Sequence, residues 1–475
     1  MSSKKEKFYI TTSIAYTNAP PHLGFALELV QADVIARHHR ILGEKVFFLT
    51  GTDEHGQKIV RAAKEAGKTP KEFTDEFSLK FKKLKEPLNI SNDDFIRTTD
   101  KKRHWPTAER VWLKLKENRD IYKKKYKGFY CVGCEAFVKE KDLINGKCSI
   151  HKKEAELIEE ENWFFRLSRY AKQIEKAIKE EKVKIIPIGR KNEMLRFINQ
   201  KLEDVSFSRP SKNLWWGIPV PGDKTQTTYV WEEALVNYLS ALDYPNGKKF
   251  KEYWPVDVHC LGKDILRFHV TIWLGMLLSL KLSLPKNIFV HGFITSDSQK
   301  MSKSLGNVID PFELVKKYGT DPVRYFLLRE ITPTEDGDFT YEKFEQRYNS
   351  DLAKGLGNLV ARVVTLADKY TVSSRLKASK QTQKEINITQ KKYKKALKEF
   401  KFNEALVAVW KFISLCDEYI EREKPWEGNK KEVVENLLVA VKKIAELLEP
   451  FLPQSSEEII KQLKNKKSKA LFPRI

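Results

Sequence analysis

Apolar residues recur along this chain at two spacings, and the change from one to the other marks out its organisation. Phe8 to Thr12 and Lys45 to Thr50 are short runs rich in β-branched and aromatic residues, the pattern of buried strands. Between them, Gly24 to Leu42 carries Ala26, Leu27, Val30, Val34 and Ile35 on one stripe at helical spacing. Strand, helix and strand in that order predict a βαβ unit, and so a parallel sheet. Strand-like runs return at Asp257 to Leu261 and Asn287 to Ile294, with a helical stretch from Ile265 to Leu282 between them. The sheet is therefore expected to be interrupted by an insertion over about Lys114 to Thr227.

After about Asn349 the strand signal stops. Phe402, Leu406, Val409, Ile413, Cys416 and Ile420 predict an amphipathic helix that ends before Pro425. Leu437, Val441, Ile444 and Leu448 predict a second, running to Pro450, and Ser455 with Glu458 reads as the capping box of a last one. Lys377 to Lys398 is polar and reads as an exposed connection and helix start. No internal repeat is visible.

Composition narrows the class. A chain of 475 residues, 41% of them hydrophobic, is long enough for two to four domains. Lys and Arg outnumber Asp and Glu by 87 to 64, and a net charge of +23 favours a polyanionic partner. No apolar run is long enough to span a bilayer, and the polar start, Met1 to Lys7, has no export core. Five cysteines do not suit a disulfide framework, which points to a reducing cytoplasm.

Two short segments carry chemistry. In Lys300-Met301-Ser302-Lys303-Ser304, two ammonium groups on a polar loop suit the charge that develops on a polyphosphate. His22-Leu23-Gly24 lies where a strand gives way to a helix, and a helix N-terminus there can receive phosphate. A third signal is metal-like. Cys131-x2-Cys134 and Cys148-x2-His151, separated by 13 residues, form two knuckle-type pairs whose thiolates and imidazole favour one structural zinc. Cys260 and Cys416 fall within apolar patterns and read as core.

These segments resemble the signature loops of class I aminoacyl-tRNA synthetases, and the surrounding text is similar to the methionyl-tRNA synthetases over nearly the whole chain. The resemblance rests on Ala15 to Gly24, Thr50 to Gly56, Gly262 to Ile265 and Lys300 to Asn307. There are two departures. Phe25 stands where the family's first motif normally closes with a second histidine, and Glu232-Glu233 stands where an apolar residue and then Asp are usual. From sequence, Glu232 either borders the pocket or faces water.

The resemblance implies an α/β fold: a Rossmann-like parallel sheet with an inserted zinc-knuckle domain, followed by an α-helical anticodon-binding bundle. The expected divisions are catalytic halves at 1–113 and 228–298, the insertion at 114–227, a loop and stem-contact region at 299–348, and the bundle at 349–475. It further implies activation of L-methionine by ATP, with accompanying Mg²⁺, and transfer to tRNA(Met). His22, Lys300 and Lys303 are the expected catalytic residues. Gly24, Asp264, Ser302 and the same two lysines would hold ATP.

Asp53, at the end of a strand, is expected to pair with the substrate ammonium. Ile14, Tyr16, Trp231, Ala234, Leu235, Tyr238, Ile265, His269 and Trp273 would surround its side chain, and Asn358, Arg362 and Trp426 would read the anticodon. An insertion of about 114 residues is too short for an editing domain beside the knuckle. A monomer is expected, because no further module follows the bundle. Two alternatives stay open at this point: another class I synthetase, and a catalytically weakened tRNA-binding relative, suggested by Phe25.

Overall fold

The computed structural model describes residues 6–132, 136–138, 140, 143–149, 152–301, 306–370 and 377–475. The chain divides into two compact units, one of residues 1–21, 43–83 and 92–290, the other of 22–42, 84–91 and 291–475.

The first unit is built on a six-stranded parallel sheet. Its strands are β1 (Lys7–Tyr16), β2 (Lys45–Asp53), β3 (Asp94–Arg97), β4 (Lys184–Ile186), β5 (Val258–Gly262) and β6 (Asn287–His291), in the order β3-β2-β1-β5-β6-β4. The helix α1 (Leu23–Ile41) connects β1 to β2 in sequence, as the alternation of patterns predicts. Central parallel strands are covered on both faces, which is why Phe8 to Thr12 and Phe47 to Asp53 read as unbroken buried runs. The strand order reverses at β1, flanked by β2 and β5, and in open parallel sheets such a point places a crevice at the carboxyl ends of the strands.

Between β3 and β5 come the helices α2 (Trp105–Glu117) and α3 (Val230–Leu235) and an antiparallel region. Its largest element is a hairpin of Ile121–Cys131 and Glu156–Phe165, paired from Ile121 with Phe165 to Tyr130 with Glu156. One piece of the expected insertion joins the main sheet instead. Val183 and Ile185 are buried, and Lys184–Ile186 extends the sheet as β4, parallel to β6.

The second unit holds α1, a small sheet of Ile294–Ser296, Gln299–Lys300 and Gly337–Phe339, and the helices α4 (Thr320–Arg329), α5 (Asn358–Lys369), α6 (Lys380–Lys398), α7 (Phe402–Glu423), α8 (Lys431–Leu448) and α9 (Pro453–Asn465). All six apolar positions that predict α7 are buried, and the helix ends at a left-handed Lys424 just before Pro425. The polar stretch from Lys377 proves more regular than expected: α6 is a full 19-residue helix capped by Ser379. The expected capping box is corrected. Pro453, with its backbone angle already preset, starts α9 with Leu452 at its cap, three residues before the expected one, so Ser455 lies in the first turn and its N–H donates to Asp321 Oδ2 at 2.6 Å.

Three stretches distant in sequence meet at Arg324, which is fully buried on α4. Its guanidinium pairs with Asp33 of α1 at 2.8 Å and donates to the carbonyls of Leu88, Pro450 and Phe451 at 3.0, 2.9 and 2.8 Å. Asp33 also accepts from Arg37 and from the N–H and hydroxyl of Ser91. Burial alone would raise the Asp33 carboxyl, but Arg324, Arg37 and Ser91 outweigh it and hold it below the ordinary carboxylate value.

A carboxyl with a lowered folded value contributes stability above its unfolded value, and that contribution is lost as pH falls from the unfolded value through the lowered folded one. The expected outcome is that Arg324→Met, which removes one of the two cations paired with Asp33 and leaves the carbonyls of Leu88, Pro450 and Phe451 without their donor, costs about 3–5 kcal/mol in urea unfolding. Asp33→Asn should in addition flatten the loss of stability as pH falls below about 4, the ordinary carboxylate value.

Candidate active site

The carboxyl ends of the neighbouring strands β2, β1 and β5 gather several residues singled out from sequence. Tyr16 closes β1 and pairs in register with Asp53, the last residue of β2, while Ile14 pairs with Gly51. Gly51 is required there, since a Cβ would lie 2.2 Å from the Ile96 carbonyl of β3. Asp53 is mostly buried, and its carbonyl accepts from the N–H and hydroxyl of Thr17 at 3.0 and 3.1 Å. Gly262 ends β5, and the turn after it holds Asp264, exposed, and Ile265, packed against the core.

The turn after Asp53 is fixed by a charge network. Glu54 is buried and receives Arg97 in a two-pronged contact at 2.7 and 2.8 Å, with Thr52 at 2.6 Å and Thr99 completing its shell. Trp216 donates to the Glu54 carbonyl at 2.7 Å. His55 meets Glu233 Oε1 at 2.9 Å, and the other oxygen of Glu233 meets His104 Nε2 at 2.8 Å, so α3, α2 and the turn after β2 converge on one carboxylate. Burial acts to raise the Glu233 carboxyl, but the two imidazoles prevail and hold it below its ordinary value. Nothing in the periodicity marks Glu54, His55, Arg97, His104 or Glu233 as one cluster. The only trace is the polar run Asp53 to His55 interrupting a buried strand.

Glu232 behaves oppositely to its neighbour. It neither faces water nor finds a partner: it is fully buried and both oxygens lack hydrogen bonds among the described residues. Burial, reinforced by the charge of Glu233, pushes its carboxyl well above the ordinary value, which favours the neutral form.

Aromatic rings pack around His269. Tyr238 Oη is 2.8 Å from His269 Nε2, and the other ring nitrogen is 3.1 Å from the Ile265 carbonyl. The hydrogen on Nδ1 is thus donated to the carbonyl, and the Tyr238 hydroxyl donates to Nε2. Trp231 meets the His269 ring edge-on at 6.2 Å and stacks on Phe268 at 4.0 Å. Trp273 lies 5.6 Å from the Tyr238 ring and donates to His259 Nε2 at 3.2 Å, while Thr11 binds His259 Nδ1 at 2.7 Å. Burial lowers His269 to about 4 and drives His259 well below its ordinary value, so both rings are neutral at pH 7. Ala234 and Leu235 are buried on α3 beside Trp231. Phe268 and His259 are additions to the expected set. Each sits in a run that reads as core.

In the second unit, His22 caps α1, its Nδ1 accepting from the Gly24 N–H at 3.0 Å, which assigns the ring hydrogen to Nε2. A Cβ on Gly24 would lie 2.8 Å from the His22 ring, so the glycine lets the imidazole fold over the helix end. The N–H of Leu23 donates to the Ile309 carbonyl at 3.2 Å, and Phe25 is half-buried in the first turn. Lys300 ends a short hairpin in which Thr295 and the N–H of Ser298 both bind Asp338 at 2.7 Å. Ser302 and Lys303 lie outside the described residues.

Further along, Asn358 and Trp426 are exposed, and Arg362 pairs with Glu421 at 2.5 Å. Tyr370 donates to the carbonyls of Pro425 and Gly428, fixing the turn that presents Trp426. Of the expected metal ligands, Cys131 and Cys148 are buried thiols, each at the end of a strand. The Cys148 carbonyl and N–H bond Lys152 and Lys153, both at 2.8 Å, in the tight turn that a knuckle needs. That donor chemistry suits zinc; Cys134 and His151 lie outside the described residues.

Several known proteins resemble the chain throughout. The family of tRNA synthetases class I (M) matches residues 8–142 and 133–364, and the anticodon-binding domain of tRNA ligase matches 379–474. A methionine–tRNA ligase of Thermotoga maritima is 44% identical over 475 residues, spanning 96% of this chain and 75% of that protein. One from Caldanaerobacter subterraneus is 44% identical, spanning 97% and 74%. The solved structure of Mycobacterium tuberculosis methionyl-tRNA synthetase in complex with methionyl-adenylate superposes with a TM-score of 0.93 at 34% identity, covering 99% of this chain and all of that one.

The two adjacent glutamates should respond oppositely to substitution. Glu233→Ala leaves two buried imidazoles without their acceptor and is expected to cost about 3–5 kcal/mol in denaturant unfolding. Glu232→Leu removes a buried, unbonded carboxyl and is expected to raise stability by about 1–3 kcal/mol.

Proposed function

The chain belongs to the class I tRNA synthetases specific for methionine, and from that premise we propose how its residues share the reaction. The protein is a ligase that activates L-methionine with ATP, giving methionyl-adenylate and pyrophosphate, and then transfers methionine to tRNA(Met). No protein nucleophile is needed. The methionine carboxylate attacks the α-phosphorus in line, so positioning and neutralisation of charge supply the catalysis.

Asp53 pairs with the methionine ammonium, at the strand end where it is held by backbone bonds. Ile14, Tyr16, Trp231, Ala234, Leu235, Tyr238, Ile265, His269 and Trp273 surround the side chain. Neutral rings favour a polarizable thioether, with contacts of order 0.3–1.5 kcal/mol each, and disfavour charged amino acids. Asp264 takes the ribose hydroxyls. His22, whose Nδ1 is engaged by the helix end, donates from Nε2 to the phosphates, and Gly24 admits them to the backbone. Lys300, Ser302 and Lys303 hold the departing pyrophosphate. Mg²⁺ bound to ATP adds charge neutralisation and is held mainly by the phosphates.

Asn358, Arg362 and Trp426 read the anticodon by hydrogen bonds and stacking. Cys131, Cys134, Cys148 and His151 hold one structural zinc that has no part in the chemical step. A monomer in the cytoplasm completes the proposal. The observation that carries it is the buried, electroneutral aromatic cluster around His269, in the same unit as the strand ends that hold Asp53 and Tyr16.

The test is amino-acid-dependent ATP–pyrophosphate exchange on the natural protein beside Phe25→His. Methionine should support exchange in both, and Lys300→Ala and Lys303→Ala should each slow it by about 100-fold with methionine affinity changed only a few-fold. Exchange with leucine or cysteine in place of methionine would point to another class I synthetase. Exchange with none, alongside retained tRNA binding, would point to the weakened relative suggested by Phe25.

A further inference from the structure

Lys300 is reached through a hairpin whose turn its own residues do not favour. Ser296 pairs with Gln299 and Thr295 with Lys300, which leaves Asp297 and Ser298 as a two-residue turn. Both have positive φ, 51° and 61°, the backbone of a type I′ turn. Such turns are usually Asn-Gly or Asp-Gly, because glycine enters the left-handed region without penalty. Asp297 tolerates that region, but the Cβ of Ser298 opposes it. The turn therefore needs support from outside the hairpin.

Asp338 provides that support. Its Oδ1 accepts from the N–H of Ser298 and from the hydroxyl of Thr295, both at 2.7 Å, so one oxygen holds the turn and the strand that leads into it. Asp338 lies on Gly337–Phe339, which runs parallel to Ile294–Ser296 with Asp338 in register with Thr295. The N–H of Asp297 donates to the Phe339 carbonyl at 3.3 Å, a second tie to the same strand. Burial acts to raise the Asp338 carboxyl, but Thr295, Ser298 and Lys343 prevail and hold it below its ordinary value.

The chain on either side of this hairpin is bonded to α1. Ahead of it, His291 Nε2 meets Glu28 Oε2 at 2.7 Å, with both side chains buried. Beyond Lys300, the Ile309 carbonyl accepts from the N–H of Leu23, the first residue of α1, at 3.2 Å. The helix that His22 caps thus anchors both approaches to the lysine segment. Between those anchors the register of Lys300 is set by the hairpin, two residues past its turn. A turn that relaxed to negative φ would splay the strands and release the pairing of Thr295 with Lys300.

We infer that Asp338 is a positioning residue for methionine activation: by holding the Asp297–Ser298 turn, it keeps Lys300 in register to neutralise the departing pyrophosphate. The inference rests on the reading of Lys300 as a pyrophosphate contact. Asp338 acts through Lys300 and not on the substrate. What it supplies is two accepted hydrogen bonds, which an asparagine oxygen can also accept, rather than its negative charge.

The experiment is methionine-dependent ATP–pyrophosphate exchange by full-chain variants whose folding is checked by circular dichroism. Asp338→Ala should lower kcat by about 10- to 30-fold, with the KM for methionine within about twofold. Asp338→Asn should stay within about threefold of the natural protein. Ser298→Gly, added to Asp338→Ala, should recover most of the loss, because glycine holds the turn unaided. Asp338→Ala added to Lys300→Ala should slow exchange no further, as expected when one residue acts through the other. Ser298→Val opposes the turn while leaving Asp338 in place, so it reads the same effect if Asp338→Ala does not fold, and it should lower kcat to a similar extent.

A folded Asp338→Ala that exchanges at the natural rate would overturn the proposal, as would natural-rate exchange by Ser298→Val. Losses that add in full to those of Lys300→Ala, or that Ser298→Gly leaves unrelieved, would also overturn it. A loss in Asp338→Asn equal to that in Asp338→Ala would assign the effect to charge and count against the turn. Failure of the underlying reading shows separately, as undiminished exchange in Lys300→Ala itself.

Discussion

The first unit depends on two buried carboxylates, Glu54 and Glu233, which fix the turn after β2. Glu54 is held by the fork of Arg97 and by two threonines, and Glu233 spans His55 and His104. Burying charge is costly unless every lone pair is answered, so these contacts tolerate little displacement once formed. The consequence falls on Asp53, one residue upstream. A carboxylate proposed to hold an ammonium must not drift, and its main chain is pinned by Thr17 on one side and by the Glu54 network on the other.

The same packing produces a region of opposite character a short way along the chain. His259 and His269 are deprived of water until neither is charged at pH 7, and each is oriented by a defined donor and acceptor. Glu232, on the helix that carries Trp231 and Ala234, is likewise pushed by burial toward its neutral form. A neutral and aromatic surrounding is what the proposed discrimination requires: one carboxylate for the amino acid's common part, and polarizable surface for its side chain.

Much of this was legible in the sequence where physics is local. The runs that predict β1, β2 and α1, the six apolar positions of α7 and the stop before Pro425 are read from neighbours a few residues apart, and the structure contains them. What could not be read depends on distant partners. Arg324 meets Asp33, Leu88 and Pro450, and Glu233 meets His55 and His104, separations that leave no periodic trace. Lys184–Ile186 is too short a strand to declare itself, and Ser455 lost its expected capping role because Pro453 and the distant Asp321 serve the helix start. Glu232 is the sharpest case, since a glutamate in a polar pair leaves pocket rim and solvent equally open until the packing that buries it is seen.

The most direct measurement is steady-state ATP–pyrophosphate exchange by Asp53→Asn against the natural protein, with methionine and ATP varied separately. Asparagine keeps the size of the side chain and removes its charge. The account predicts a methionine KM raised by about 100-fold or more, with the KM for ATP and the unfolding midpoint nearly unchanged. A variant that binds methionine as tightly as the natural protein would contradict the assignment of the ammonium to the end of β2.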